Sequence, residues 1–117
     1  MNQFEFKNKY LFEIRKSESK KIREKYPERI PVIVEPAYKS TLNKIDKTKF
    51  LVPENLTVGN FLTVIRKRIK LSSDQALFIF INNNLPCVSQ TIGSVFNDFK
   101  DTDGFLYLVY TEENTFG

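Results

Sequence analysis

Histidine is absent from this 117-residue sequence, and so is tryptophan. Without imidazole there is no histidine general base, no histidine-containing nucleophilic triad and no histidine metal ligand. The single cysteine, Cys87, can form neither an internal disulfide nor a thiolate zinc site. It follows Pro86 with no activating base beside it, which fits a packing or surface thiol better than a nucleophile. The glycines, Gly59, Gly93, Gly104 and Gly117, are too dispersed for a phosphate-cradling loop. Three carboxylates gather at Asp98, Asp101 and Asp103, and they read as a solvated acidic loop. Composition thus argues against an enzyme and implies no cofactor and no metal. The longest strongly apolar stretch, Ala76 to Ile81, falls far short of the ~20 residues that span a bilayer. Met1-Asn2-Gln3-Phe4 opens no signal-peptide pattern. The expected setting is the cytoplasm, with any membrane attachment added chemically or borrowed from a partner.

What is present is a chain long enough for one core, 41% apolar, with 11 phenylalanines and 5 tyrosines. The net charge of +4 is uneven. Residues 1–50 hold 13 Lys/Arg against 7 Asp/Glu, and residues 51–117 hold 5 against 7. The basic excess lies in the N-terminal half, where it favours acidic partners or forms a solvated face. Arg66, Lys67 and Arg68 point three ways around a helix (about 100° apart), so they read as a solvated face and no nucleic-acid site is expected.

Hydrophobic periodicity orders the elements. Residues 12–26 predict a helix with a thin stripe of Phe12, Ser19, Ile22 and Tyr26, stopped by Pro27. So narrow a stripe predicts a helix laid on the surface of a domain. Residues 29–35 predict a strand with Ile30, Val32 and Val34 on one face. Pro31 inside it lacks an amide, so that side must face something other than a strand. Lys49 to Val52 predict a second strand, with Phe50 and Val52 on one face and Lys49 and Leu51 on the other. Thr57 is placed to cap a helix over 58–70, whose apolar arc is Val58, Phe61, Leu62, Ile65 and Ile69. Leu77–Ile81 is apolar on both faces and predicts a central strand. Asn82–Asn84 suits a tight turn, 91–99 a short helix or turns, and 105–110 a last strand. Two strands, a long helix and two further strands form an α+β pattern, with the β-grasp one candidate among several sheets.

Longer motifs narrow the choice. The run from Lys21 to Glu35, with Tyr26-Pro27-Glu28-Arg29-Ile30-Pro31-Val32 at its centre, resembles the autophagy ubiquitin-like modifiers, most closely their GABARAP branch. So do Ile45–Pro53, Leu56–Phe61, Ile65–Ile69 and Phe105–Tyr107. The resemblance implies a ubiquitin-like β-grasp with two additional N-terminal helices. Its expected parts are a helical extension over 1–27, a core over 28–111 and a tail over 112–117. It also implies a tag, not an enzyme. A cysteine protease exposes the terminal glycine, and activating and conjugating enzymes relay it as thioesters. The tag is then joined to phosphatidylethanolamine on the autophagosome membrane. Gly117 would be the conjugated residue. Many members of the family continue beyond this glycine, so the chain is either made ready for activation or trimmed to it.

The resemblance also implies a groove for receptor peptides with an aromatic residue, two spacers and an aliphatic residue. Glu18, Ile22, Pro31, Lys49, Leu51 and Phe105 match the pocket for the aromatic. Phe50, Val52, Pro53, Leu56, Phe61 and Val64 match the pocket for the aliphatic, with Arg68 at its edge. Arg29, Lys47 and Lys49 are expected to meet acidic flanks of the ligand. Gly104 stands where the family often has a bulky aromatic, which predicts a looser groove wall. Read without the resemblance, Ile22 and Leu51 glue a helix to the core, and most of the second set is core. The alternative function is an unconjugated adaptor for acidic or cytoskeletal partners.

Overall fold

The computed structural model of the chain describes residues 4–112. Its helices are α1 (Glu5–Lys9), α2 (Phe12–Lys25), α3 (Val58–Arg68) and α4 (Ile92–Phe99). Its strands are β1 (Arg29–Pro36), β2 (Lys49–Pro53), β3 (Phe78–Phe80) and β4 (Leu106–Thr111). They form one mixed sheet in the order β2-β1-β4-β3. β1 pairs antiparallel with β2 and parallel with β4, while β3 closes antiparallel on β4. This is an α+β arrangement of the kind a β-grasp requires, with two helices preceding it.

The period of two along each strand divides the molecule into layers. Ile30, Val32 and Val34 of β1, Phe50 and Val52 of β2, and Leu106, Leu108 and Tyr110 of β4 face one core. Phe61 and Ile65 of α3 and Ile92, Val95 and Phe96 of α4 close it. The opposite face carries Ile33, Phe105 and Tyr107, covered by Phe6 of α1 and Ile22 of α2. Thr57 and Thr91 each cap a helix, accepting from the amides of Asn60 and Ser94 at 3.1 Å. Asn82 and Asn83 take the left-handed conformation, φ 49 and 65, in the turn closed by Ile81 and Asn84.

Pro31 lies in a strand flanked on both sides. The amide of Val34 donates to the Thr48 carbonyl at 2.8 Å and that of Glu54 to Glu28 at 2.9 Å. Even-numbered residues of β1 therefore turn their amides toward β2, and odd-numbered ones turn away. The missing amide of Pro31 falls on the β4 side, one residue before that ladder opens at Val32↔Leu106.

Four expectations are corrected. β3 is an edge strand, not a central one. Its apolar residues report burial of the sheet's faces, which does not fix how many strands flank it. The acidic loop is not solvated as a whole, since Asp103 has no exposed surface and Asp101 pairs with Lys7 at 2.7 Å. The inward line of α2 is Arg15, Ser19 and Ile22, while Phe12 and Tyr26 stay exposed. Gly104, at φ +90, is backed by α2, where an added Cβ would lie 2.3 Å from the Ser19 hydroxyl. The glycine permits a close helix approach; it does not leave an open wall.

Candidate peptide-binding groove

Among the described residues, β2 has a neighbour on one side only. Thr48, Phe50, Val52 and Glu54 alternate toward β1, so Lys49 and Leu51 direct their backbone groups outward. One of these groups is already occupied: the exposed Arg29 donates through Nη1 to the Leu51 carbonyl at 3.1 Å. Pro53 ends the free edge, because it has no amide to offer.

The matched residues separate onto the two faces of this edge. On the α1/α2 face, Pro31 and the fully buried Phe105 form a floor. Ile22 of α2 and Leu51 of β2 stand half-buried above it. The Lys49 ammonium pairs with the Glu18 carboxylate, bridging β2 and α2. On the α3 face, Phe50, Val52 and Phe61 are interior, with the rings of Phe50 and Phe61 edge-to-face at 5.5 Å. Leu56 is half-buried, Val64 is 38% exposed, and Pro53 and Arg68 are exposed. Lys47 and Arg68 sit over the Phe50 ring at 5.2 and 5.6 Å, and Arg68 pairs with Asp46 at 3.4 Å. Reading the second set as core is therefore right for Phe50, Val52 and Phe61; Leu56 packs partly buried against the same core, Val64 and Arg68 are exposed on α3, and Pro53 falls in step with Lys49 and Leu51 along β2. Gly117 lies outside the described residues.

The wall formed by α2 is held by a polar anchor that sequence reasoning missed. Arg15 Nε donates to Asp103 Oδ2 at 2.8 Å, and its Nη1 donates to the Tyr10 carbonyl at 2.6 Å. The Tyr107 phenol donates to the same Asp103 oxygen at 2.6 Å, and the Phe105 amide to Oδ1 at 2.9 Å. The Ser19 hydroxyl donates to the Asp103 carbonyl at 2.5 Å. Burial, followed by the bond to the Asp103 carboxylate, pushes the Tyr107 phenol well above its ordinary pKa. Burial raises Asp101, but the Lys7 ammonium and the Asp103 amide outweigh it and hold the carboxyl below its usual range. Beyond the other end of β4, Glu112 accepts from the Ser40 hydroxyl at 2.7 Å and the Thr41 amide at 2.9 Å. The Thr41 and Ser40 hydroxyls lower its pKa to about 2. No single residue type announces this anchor; only the spacing of Arg15 and Ser19, one turn apart on α2, hinted at it.

A family model described as "Autophagy protein Atg8 ubiquitin like" matches residues 14–117. The chain belongs to the Atg8 family. Autophagy-related protein 8e of Arabidopsis thaliana is 60% identical over 112 residues, covering 96% of this chain and 92% of the relative. Autophagy-related protein 8 of Schizosaccharomyces pombe is 55% identical over 113 residues, covering 97% and 93%. The crystal structure of Trypanosoma brucei ATG8 superposes with a TM-score of 0.91 at 41% identity, covering 99% of this chain and all of that one. This Atg8-family chain therefore has the ubiquitin-like fold, with α1 and α2 laid against its sheet.

Proposed function

We propose that this protein is an autophagy tag, joined through Gly117 to the amine of phosphatidylethanolamine, that displays an edge strand for receptor peptides. Family membership supports the tag reading. The observation that carries the display reading is the division of one edge between two faces. In an added strand, residues i and i+3 project to opposite faces, because the period is two and three is odd. An aromatic residue followed by two spacers and an aliphatic residue would place one side chain on each face of β2. Backbone bonds to Lys49 and Leu51 would supply affinity, and the two sets of side chains specificity. The aromatic would enter between Glu18, Ile22, Lys49 and Leu51, over Pro31 and Phe105, and must part the Glu18–Lys49 pair. The aliphatic residue would sit among Pro53, Leu56, Val64 and Arg68, over Phe50, Val52 and Phe61. Arg29 must release the Leu51 carbonyl and, with Lys47, is free to meet acidic flanks.

Glycine is the least hindered acyl group for transfer through a narrow enzyme channel. The lipid contributes two acyl chains, which anchor stably where one gives only marginal binding. No helix among the described residues is long and apolar enough to cross a membrane. The protein would thus move between the cytoplasm and the autophagosome membrane by attachment and release. Its partners are the activating and conjugating enzymes, a deconjugating cysteine protease and motif-bearing receptors. The test is reconstitution with those enzymes and phosphatidylethanolamine liposomes, read by mass. The intact chain should gain the lipid and the chain lacking Gly117 should not. Equal lipidation of both would transfer the reading to the unconjugated adaptor.

A further inference from the structure

A second recess lies between α2 and α4, and no residue of β2 lines it. It is a shallow trough of about 250 Å³. Lys16, Lys20 and Arg23 line one wall, and the Phe96 ring and Gly104 form the base. Arg23 and Lys100 stand over the Phe96 ring at 5.4 and 5.6 Å. Arg23 is fixed there, its Nη1 donating to the carbonyls of Pro27 at 2.9 Å and Arg29 at 2.8 Å. The carboxylate in the lining, Asp103, is fully buried and committed to Arg15 and Tyr107. Lys16, Lys20 and Lys100 pair with no carboxylate among the described residues. Lys16 also stands over the exposed Phe12 ring at 5.9 Å, so the trough is a positive channel with an apolar base whose lysines have no carboxylate partner.

We propose that this trough seats an acidic, extended segment of a partner protein, independently of the β2 edge. The spacing of the charges identifies the occupant. Lys16 and Lys20 are about 6 Å apart along the axis of α2, and Arg23 lies about 4.5 Å further on. A single phosphate needs donors converging on one point, whereas this row matches a linear polyanion. Alternate residues of an extended chain lie about 6.7 Å apart on one face. Carboxylates at that spacing meet Lys16 and Lys20, and the intervening residues rest toward Phe96 or Lys100. A single-stranded nucleic acid has a similar phosphate spacing but draws on open aromatic faces for stacking, and Phe96 is only 7% exposed. A flat headgroup surface would touch the lysine tips and leave the recessed base unused.

The test is a nitrogen-15 NMR titration of the intact chain with a synthetic peptide of alternating glutamate and leucine. A glutamine-for-glutamate peptide and phosphatidylserine vesicles serve as comparison arms. Saturable shifts are expected at the amides of Ser19, Lys20 and Gly104. The double variant Lys16→Glu/Lys20→Glu, both exposed helix positions, should weaken binding roughly tenfold. Lys21→Glu, about 140° around α2 from Lys16, should not. The proposal is overturned by an absence of shifts, by equal weakening from Lys21→Glu, by equal binding of the glutamine peptide, or by binding to the vesicles alone. Shifts confined to β2 would overturn it too, while leaving the edge-strand reading intact.

Discussion

Asp103 has no exposed surface, yet it gathers an arginine, a phenol, a serine hydroxyl and a backbone amide. A buried ion pair of this kind adds little over a well-packed apolar pair, but removing one partner strands the other. Arg15→Ala should therefore destabilise the protein by about 3–5 kcal/mol in urea unfolding. A loss like that of an exposed pair, under about 1 kcal/mol, would contradict the anchor. Tyr107 adds a pH signature. Its native pKa lies above the ordinary 10.0, so its contribution is complete below that pH and is lost as pH rises beyond it. Ultraviolet titration of the protein against its Tyr107→Phe variant should show no phenolate from this residue until the fold itself opens at high pH. The anchor was hidden in the sequence because an aspartate in a run of polar residues reads as solvated. Only the approach of α2, permitted by Gly104, makes it interior.

At the scale of elements, α1 has five residues, too few to persist alone in water. Phe4 gives it no side-chain cap; the buried Glu35 of β1 does so from a distance. The Glu35 carboxylate accepts from the amides of Glu5 at 2.9 Å and Phe6 at 3.0 Å. Glu35→Ala should free α1, raise amide exchange across Asn8–Tyr10 above that of α3, and cost about 0.5–2 kcal/mol. Unchanged exchange there would mean that apolar packing of Phe6 alone holds the helix. The regular elements were legible because their periods are clean: α3 from Val58, Phe61 and Ile65, and β2 from the alternation of Phe50 and Val52 with Lys49 and Leu51. Strand order was not legible for β3, since residues as apolar and buried as Ile79 and Phe80 occur on edge as well as central strands. The two residue sets proposed for the groove come from the family resemblance, and β2's alternation puts Phe50 and Val52 on one face and Lys49 and Leu51 on the other. The cap from Glu35 and the bond from Arg29 to Leu51 were not, because both are long-range side-chain contacts.

The whole molecule combines a free edge that carries a different set of side chains on each face with a basic trough elsewhere. The account depends most on the edge, and its geometry makes a demand on ligand spacing. The direct measurement is calorimetry with two peptides of identical composition, one aromatic-x-x-aliphatic and one aromatic-x-aliphatic, with Leu51→Ala as the partner variant. Phe50 is a poorer choice, since its burial would confound binding with stability. Shortening the spacer places both anchors on one face, so the second loses the burial of an aliphatic side chain, about 1.5–3 kcal/mol. The account predicts that the shorter peptide binds the protein at least roughly tenfold more weakly, and that Leu51→Ala weakens the longer one. Equal affinity of the two spacings would contradict it.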